Sequence, residues 1–200
     1  MRGRAGLRSA AELPPGYRIH RTVDLEKDRK FAVAVQGLFV LVALCAVAAA
    51  LLLDVPLTSG WSPVVTVPVT LLACLVYMAV HEATHGFVLQ SLTEVRPSYA
   101  VRFPFLTTGS RAYLTRRSAV IAALAPSVVW GIVLFVALLT LPADYLLTAY
   151  ILLALNFAGS AGDFVEVYVV ARQQDDALVR DDGGKLHIFV PQRVSDRPRR

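Results

Sequence analysis

Residues 64–90 read VVTVPVTLLACLVYMAVHEATHGFVLQ, an apolar stretch that ends with two histidines and a glutamate. A hydrocarbon core about 30 Å thick requires about 20 apolar residues per helical span. Three further stretches meet this length, at about 31–53, 118–141 and 145–171. The hydrophobic fraction of 56%, the charged fraction of 18% and the mean hydropathy of +0.55 exclude an ordinary soluble domain. The sequence therefore predicts an all-α membrane protein with four transmembrane helices.

The distribution of basic residues predicts how these helices are oriented. All 20 lysines and arginines fall within residues 1–30, 96–117 and 172–200, whereas the connections around Asp54 and Asp144 contain none. By the positive-inside rule, both termini and the middle loop are cytoplasmic and the chain is a multi-pass protein of the plasma membrane. The domains are then a basic tail (1–30), a four-span domain (31–171) and a second tail (172–200). Topology explains the net charge of +5, so we expect the lipid bilayer and no nucleic acid as a partner.

Two segments outside the spans have the pattern of short β-hairpins. Apolar side chains alternate from Tyr99 to Phe105, ahead of a turn expected at residues 107–110, and Pro104 restricts any strand there to a sheet edge. In the last tail, apolar residues 177–179 and 186–190 flank the DDGG run at 181–184. A plain amphipathic connection resting on the membrane surface is the alternative for the middle loop.

Ionisable residues within a bilayer cost several kcal/mol and are functional candidates by default. Span two contains His81, Glu82 and His85, which form an H-E-x-x-H motif. Residues four apart on a helix differ by about 40° around its axis, so both imidazoles can reach one metal ion. Glu82 lies about 100° away and can act on a water at that ion as a general base. The alternative is a pair of histidines whose hydrogen bonds are satisfied by neighbouring backbone or hydroxyl groups.

Span four can supply the third protein ligand that a catalytic zinc site needs. Asn156, Gly159, Ser160 and Asp163 share one face of this helix, and Glu166 extends it as a substitute ligand. Counted at 1.5 Å per residue, Asp163 and the histidines of span two all lie about 7 to 14 Å from the cytoplasmic end of their spans. Asn156 either positions the substrate or forms an interhelical hydrogen bond. Thr70 and Tyr77 continue the histidine face and are expected to pack.

The H-E-A-T-H-G run at 81–86, the A-P pair at 125–126 and the N-F-A-G-S-A-G-D run at 156–163 resemble the putative zincin peptidase family of small bacterial membrane proteins. More distantly they are similar to the site-2 protease group of intramembrane metalloproteases. The resemblance implies a zinc endopeptidase in which His81, His85 and Asp163 bind the metal and Glu82 is the catalytic base. In the site-2 protease pattern, a Leu-Asp-Gly run follows an asparagine and a proline. This sequence departs from that pattern, because Gly162 precedes Asp163 and Phe164 follows it.

The expected function is hydrolysis of peptide bonds in membrane or membrane-proximal proteins near the cytoplasmic face. A transmembrane substrate must unwind locally, because a helix hides its carbonyl groups. The strand near Tyr99 would hold it by strand addition. A non-catalytic metal-binding scaffold and a bis-histidine haem protein are the alternatives. No feature of the sequence specifies an oligomeric state.

Overall fold

The computed structural model describes residues 11–25, 27–102 and 105–192, and it is mostly helical. Four helical segments are long and apolar enough to cross a membrane, judged by length and composition. Their bounds agree with the predicted spans to within three residues at each end. The helices are α1 (Arg29–Leu52), α2 (Pro63–Thr93), α3 (Arg116–Thr140), α4 (Ala143–Gly159) and α5 (Ala161–Ala171).

The fourth span, predicted as one helix, is divided at Ser160 into α4 and α5. The Ser160 hydroxyl donates to the Asn156 carbonyl oxygen at 2.7 Å and accepts from the Ser127 hydroxyl at 2.6 Å. Such side-chain bonds to the preceding turn compete with helix geometry, and the nearby Gly159 and Gly162 favour helix weakly. The break places Asp163 in the first turn of α5.

The outer surface of the helices is apolar. None of the residues of α1 is buried, and Leu44 of α1 and Leu72 of α2 are exposed over 62% and 63% of their surfaces. A patch of this size in water would cost free energy at about 25 cal/mol per Å², whereas lipid tails solvate it. The surface is therefore consistent with that of a membrane protein.

The structure also contains six short strands, so the prediction of an all-α fold is only partly right. The strands form an antiparallel sheet of order β1-β6-β5-β4 and a separate hairpin β2-β3. A hairpin is present in each of the two predicted segments, although the turn in the middle loop differs from the predicted one, and β1 and β4 were not predicted. The apolar residues Tyr17, Ile19 and Val23 of β1 alternate with polar ones, but Arg21 interrupts the pattern, and Val23 is the one fully buried residue of this strand. The bounds are β1 (Tyr17–Asp24), β2 (Ser98–Arg102), β3 (Phe105–Gly109), β4 (Leu114–Thr115), β5 (Leu178–Asp181) and β6 (Lys185–Pro191).

The four-stranded sheet brings residues 17–24, 114–115, 178–181 and 185–191 together at one end of the helix bundle. Its strands lead into α1 and α3 and follow α5, and it packs on the ends of α2, α3 and α5. At the opposite end, the Gly60 amide donates to Asp144 at 2.7 Å, and the rings of Trp61 and Tyr145 lie 4.9 Å apart. The core consists of small and aliphatic side chains from both parts, including Val23, Leu89, Leu114, Ala122, Val169, Val179, Leu186 and Ile188.

The turn expected at residues 107–110 is wrong, because Gly109 lies in β3 and pairs with Ser98. The reversal lies between Arg102 and Phe105, which pair with each other, and Pro104 lies outside the described residues. Glycine is required at 109 for another reason. A Cβ atom there would lie 2.5 Å from the backbone carbonyl carbon of Asp182, in the turn between β5 and β6.

Candidate metal centre

The structure brings together the three residues that the sequence suggested as metal ligands. His81 and His85 project from successive turns of α2 toward Asp163 on α5. The His81 Nε2 atom lies 3.5 Å from Asp163 Oδ2, and the His85 Nε2 atom lies 3.4 Å from Asp163 Oδ1. The three side chains therefore occupy one level of the bundle, as the count along the spans predicted.

Glu82 lies beside this cluster. One of its carboxylate oxygens and one ring nitrogen from each of His81 and His85 all lie within 4.8 Å of one another, a grouping that could hold a metal ion. Its Oε2 atom accepts a hydrogen bond of 2.7 Å from the hydroxyl of Thr108 on β3. The hairpin β2-β3 lies at the same end of the bundle as the sheet. It therefore contacts the motif on α2 from that end.

Backbone contact fixes the tautomer of His85. Its Nδ1 atom lies 3.0 Å from the carbonyl oxygen of Ala122 on α3. A carbonyl oxygen only accepts hydrogen bonds, so Nδ1 carries the proton and donates it. In the neutral ring the lone pair is then on Nε2, the atom that faces Asp163.

A relay of three hydrogen bonds fixes the tautomer of His81. The Asn156 Nδ2 group donates to the carbonyl oxygen of Ser127 at 3.0 Å, so the Asn156 Oδ1 atom must accept from Tyr77, whose hydroxyl lies 2.5 Å away. The one proton of the Tyr77 hydroxyl is used in this bond, so the hydroxyl oxygen accepts a hydrogen bond from His81 Nδ1 at 3.1 Å. The Nε2 atom of His81 is again the one that carries the lone pair.

The donor set fits a zinc ion. The two Nε2 atoms lie 3.4 and 3.5 Å from carboxylate oxygens that also carry lone pairs, and a cation between them would stabilise this cluster of acceptors. Two imidazole nitrogens and a carboxylate oxygen are ligand types of catalytic zinc sites, which keep a fourth position open. The outer hydrogen bonds to Ala122 and Tyr77 orient both rings as metal-binding histidines generally require.

Asn156 lies inside the bundle and not on a cavity surface. It is 0% exposed, and both polar groups of its amide are used by Tyr77 and Ser127. This is the interhelical hydrogen bond that the sequence left open as the alternative to substrate positioning. Tyr77, which was expected only to pack, connects Asn156 to the metal cluster.

Two cavities meet at the cluster. One of about 690 Å³ is mostly apolar and opens between α1, α2 and α4, with Phe39, Met78 and Leu155 in its wall beside His81 and Asp163. The other, of about 320 Å³, lies on the side of the sheet and is lined by Glu82, His85 and Asp163. Its wall also contains Glu166, Asp181 and Lys185. Glu166, the substitute ligand, makes no ion pair or hydrogen bond with the parts of the chain that the structure describes.

The sheet contributes a carboxylate that the sequence did not single out. Burial raises the pKa of Asp181 to about 6, and the neighbouring charge of Asp182 acts in the same direction, while the Gly183 amide opposes both. Alternation in the last tail predicted the hairpin but gave no signal that its turn closes over the cavity. Thr108 was likewise missed, because a lone threonine in a loop has no motif.

An H-E-x-x-H helix with a carboxylate from a second helix is the arrangement of a zincin-type metal site, and here it lies among apolar helices long enough to cross a membrane. The match to a family model is more specific. Residues 74–178, just over half of the chain, match the family described as "Putative zincin peptidase", and the chain belongs to that family. Zinc is the cofactor that this family implies. No curated protein and no solved structure matches the chain significantly.

The tautomer relay predicts the effect of Tyr77→Phe. The substitution removes the acceptor of the His81 Nδ1 proton, and we expect zinc affinity to fall by about 10- to 100-fold, the usual loss for such an outer contact. A chelator competition titration measures this affinity. Tyr150→Phe is the matched control, because the Tyr150 hydroxyl donates to Ala46 of α1 elsewhere in the bundle. Equal affinities of the two variants would contradict the relay.

Proposed function

We propose that this chain is a membrane-embedded zinc metalloendopeptidase that hydrolyses peptide bonds of membrane or membrane-proximal proteins near the cytoplasmic face. The observation that carries the proposal is the convergence of His81, His85 and Asp163, with Glu82 beside them, where the larger apolar cavity meets the cavity on the side of the sheet. Membership of a zincin peptidase family supports the same chemistry.

In the proposed mechanism, His81, His85 and Asp163 hold the metal and Glu82 transfers protons. Zinc, when bound, supplies Lewis-acid chemistry that polarises a carbonyl group and increases the acidity of water. Glu82 takes a proton from the attacking water and then returns it to the leaving amine. Its Oε1 atom has no hydrogen-bond partner among the described residues, so it is available for this transfer, while Oε2 is held by Thr108.

The two cavities suggest the path of the substrate. The apolar cavity beside α1 fits the side chains of a transmembrane segment. The cavity on the side of the sheet, whose wall carries Glu82, Asp163 and Asp181, fits a backbone that has left the helical conformation. The strand β3 contacts α2 next to Glu82. An extended peptide that pairs with this hairpin would have its carbonyl groups satisfied while one of them faces the cluster.

Two other functions were open from the sequence. A bis-histidine haem site needs ligands on opposite sides of a macrocycle. The rings of His81 and His85 come from one face of α2 with centroids 5.0 Å apart, and Asp163 contacts both. A non-catalytic metal-binding scaffold would have the same geometry as the enzyme and differs from it only in turnover.

The proposal is tested by metal analysis of the purified protein together with cleavage of a model transmembrane substrate. We expect one zinc per chain, no Soret band, and cleavage that depends on Glu82. A protein that binds zinc but shows no cleavage that depends on Glu82 would be a scaffold.

The membrane orientation is a separate prediction. Reporter fusions after residues 57 and 144 are expected outside the cell, and fusions after residue 110 and at the C-terminus in the cytoplasm, because the basic residues all lie on one side. The sheet joins strands from the three basic segments, residues 1–30, 96–117 and 172–200, at one end of the bundle, which supports the arrangement. A cytoplasmic signal at residue 57 would rule out the four-span topology.

A further inference from the structure

Thr108 makes a contact with Glu82 that the mechanism above does not by itself require. Its hydroxyl lies 2.7 Å from Glu82 Oε2 and 3.0 Å from the Glu82 carbonyl oxygen, and only 8% of the residue is exposed. A hydroxyl has one proton, and the nearer, charged oxygen is the stronger acceptor. The carboxylate is thus held through one oxygen by a group outside its own helix.

Two close contacts at glycines hold the hairpin that carries Thr108. A Cβ atom at Gly86, the residue after His85, would overlap the hydroxyl end of the Tyr99 side chain, and Tyr99 pairs with Thr108 across the hairpin. On the other strand, Gly109 lies against the backbone of Asp182. The contact at Gly109 is with backbone and requires a residue without a side chain, whereas a Cβ atom at Gly86 would displace the Tyr99 side chain.

Hydrogen bonds hold the same position in place. The Ser110 amide donates to the Asp181 carbonyl oxygen at 2.8 Å, and the Ser98 hydroxyl donates to the Gly109 carbonyl oxygen at 3.1 Å. The end of β5 and the turn after it therefore contact the chain two residues and one residue after Thr108, at Ser110 and Gly109. The position of the Thr108 hydroxyl is determined by the sheet and by α2 together.

We infer that Thr108 is a positioning residue that orients the carboxylate of Glu82 toward the reacting water, and that the turn between β5 and β6 keeps it in register. The inference rests on the proposed function, in which Glu82 is the base. A glutamate side chain on a helix has several accessible rotamers, and a fixed Oε2 atom leaves Oε1 directed at the site. The C-terminal hairpin is then part of the catalytic apparatus and not only a cover for the cavity.

The test compares Thr108→Val, which removes the hydroxyl at nearly constant shape, with Thr108→Ser, which retains it. For Thr108→Val we expect kcat to fall by about 10- to 100-fold, with zinc content and KM unchanged, because the ligands and the substrate cavity remain. For Thr108→Ser we expect kcat within about threefold of the wild type. Thr140→Val is the control for loss of a threonine hydroxyl, because the Thr140 hydroxyl donates to the Val136 carbonyl oxygen at the far end of α3.

A second readout does not depend on turnover. In zinc-free protein, the infrared carboxylate stretch assigned to Glu82 by subtraction of Glu82→Gln should shift in Thr108→Val and not in Thr108→Ser. An unshifted band, or equal loss of kcat in both variants, would overturn the positioning role and leave Thr108 as a packing residue. If the wild type cleaves nothing, the proposed function fails, while the infrared comparison still decides whether Thr108 holds Glu82.

Discussion

Substituting glutamine for Glu82 is expected to leave the zinc content of the purified protein unchanged and to lower the rate of peptide hydrolysis by about 10²- to 10⁴-fold. The amide has the size of the carboxylate, and its oxygen can still accept the hydrogen bond from Thr108. Its NH₂ group would then occupy the position of Oε1, and it cannot take a proton from water. Metal analysis and single-turnover cleavage of a model transmembrane substrate measure the two quantities.

Glu94→Gln is the matched control for this experiment, because Glu94 is exposed and lies at the C-terminal end of the same helix. It should behave as the wild type in both measurements. An enzyme with Glu82→Gln should also accumulate uncut substrate, which crosslinking in membranes can trap. If Glu82→Gln cleaved the substrate at the wild-type rate, Glu82 would not be the catalytic base. Only the proposal of a metal-binding membrane protein would then remain.

The parts of the fold that the sequence predicts are those with a local signal. Apolar length alone placed all four spans, and the period of the helix placed His81 and His85 on one face. The distance of each residue from the end of its span was sufficient to predict that Asp163 lies at the level of His81 and His85. These inferences hold because a helix rises by about 1.5 Å per residue, so positions along each span convert into height even though the fourth span is divided at Ser160.

The remaining parts depend on contacts between distant segments. The strand β1 pairs with β6 across more than 160 residues and its alternation is interrupted at Arg21, so nothing near it in the chain predicts the sheet. Gly109 had the local signature of a turn, yet it is glycine because the backbone of Asp182 approaches it. The hydrogen bonds of Tyr77 and Thr108 to the motif likewise arise from packing between elements, which single-sequence patterns do not encode.

Removing any one of the three proposed ligands should have a larger effect than removing the base. His81→Ala, His85→Ala and Asp163→Ala are each expected to lose bound zinc on dialysis and to lower activity to background, beyond the roughly 10²- to 10⁴-fold loss for Glu82→Gln. The physical reason is that three protein ligands already leave one position open, so two cannot hold the ion against competing water and chelators. Metal analysis after dialysis, in parallel with the cleavage assay, measures both losses.

Glu166→Ala separates the two carboxylates of α5 and is the internal control for Asp163→Ala. Asp163 lies 3.4 and 3.5 Å from the two Nε2 atoms, whereas Glu166 lies one helical turn farther along and lines only the cavity on the side of the sheet. We therefore expect Glu166→Ala to keep its zinc. The opposite result, with full zinc in Asp163→Ala and none in Glu166→Ala, would make Glu166 the third ligand. It would also require α5 to turn about its axis when the metal binds, because the side chain that now bridges the histidines would have to leave them.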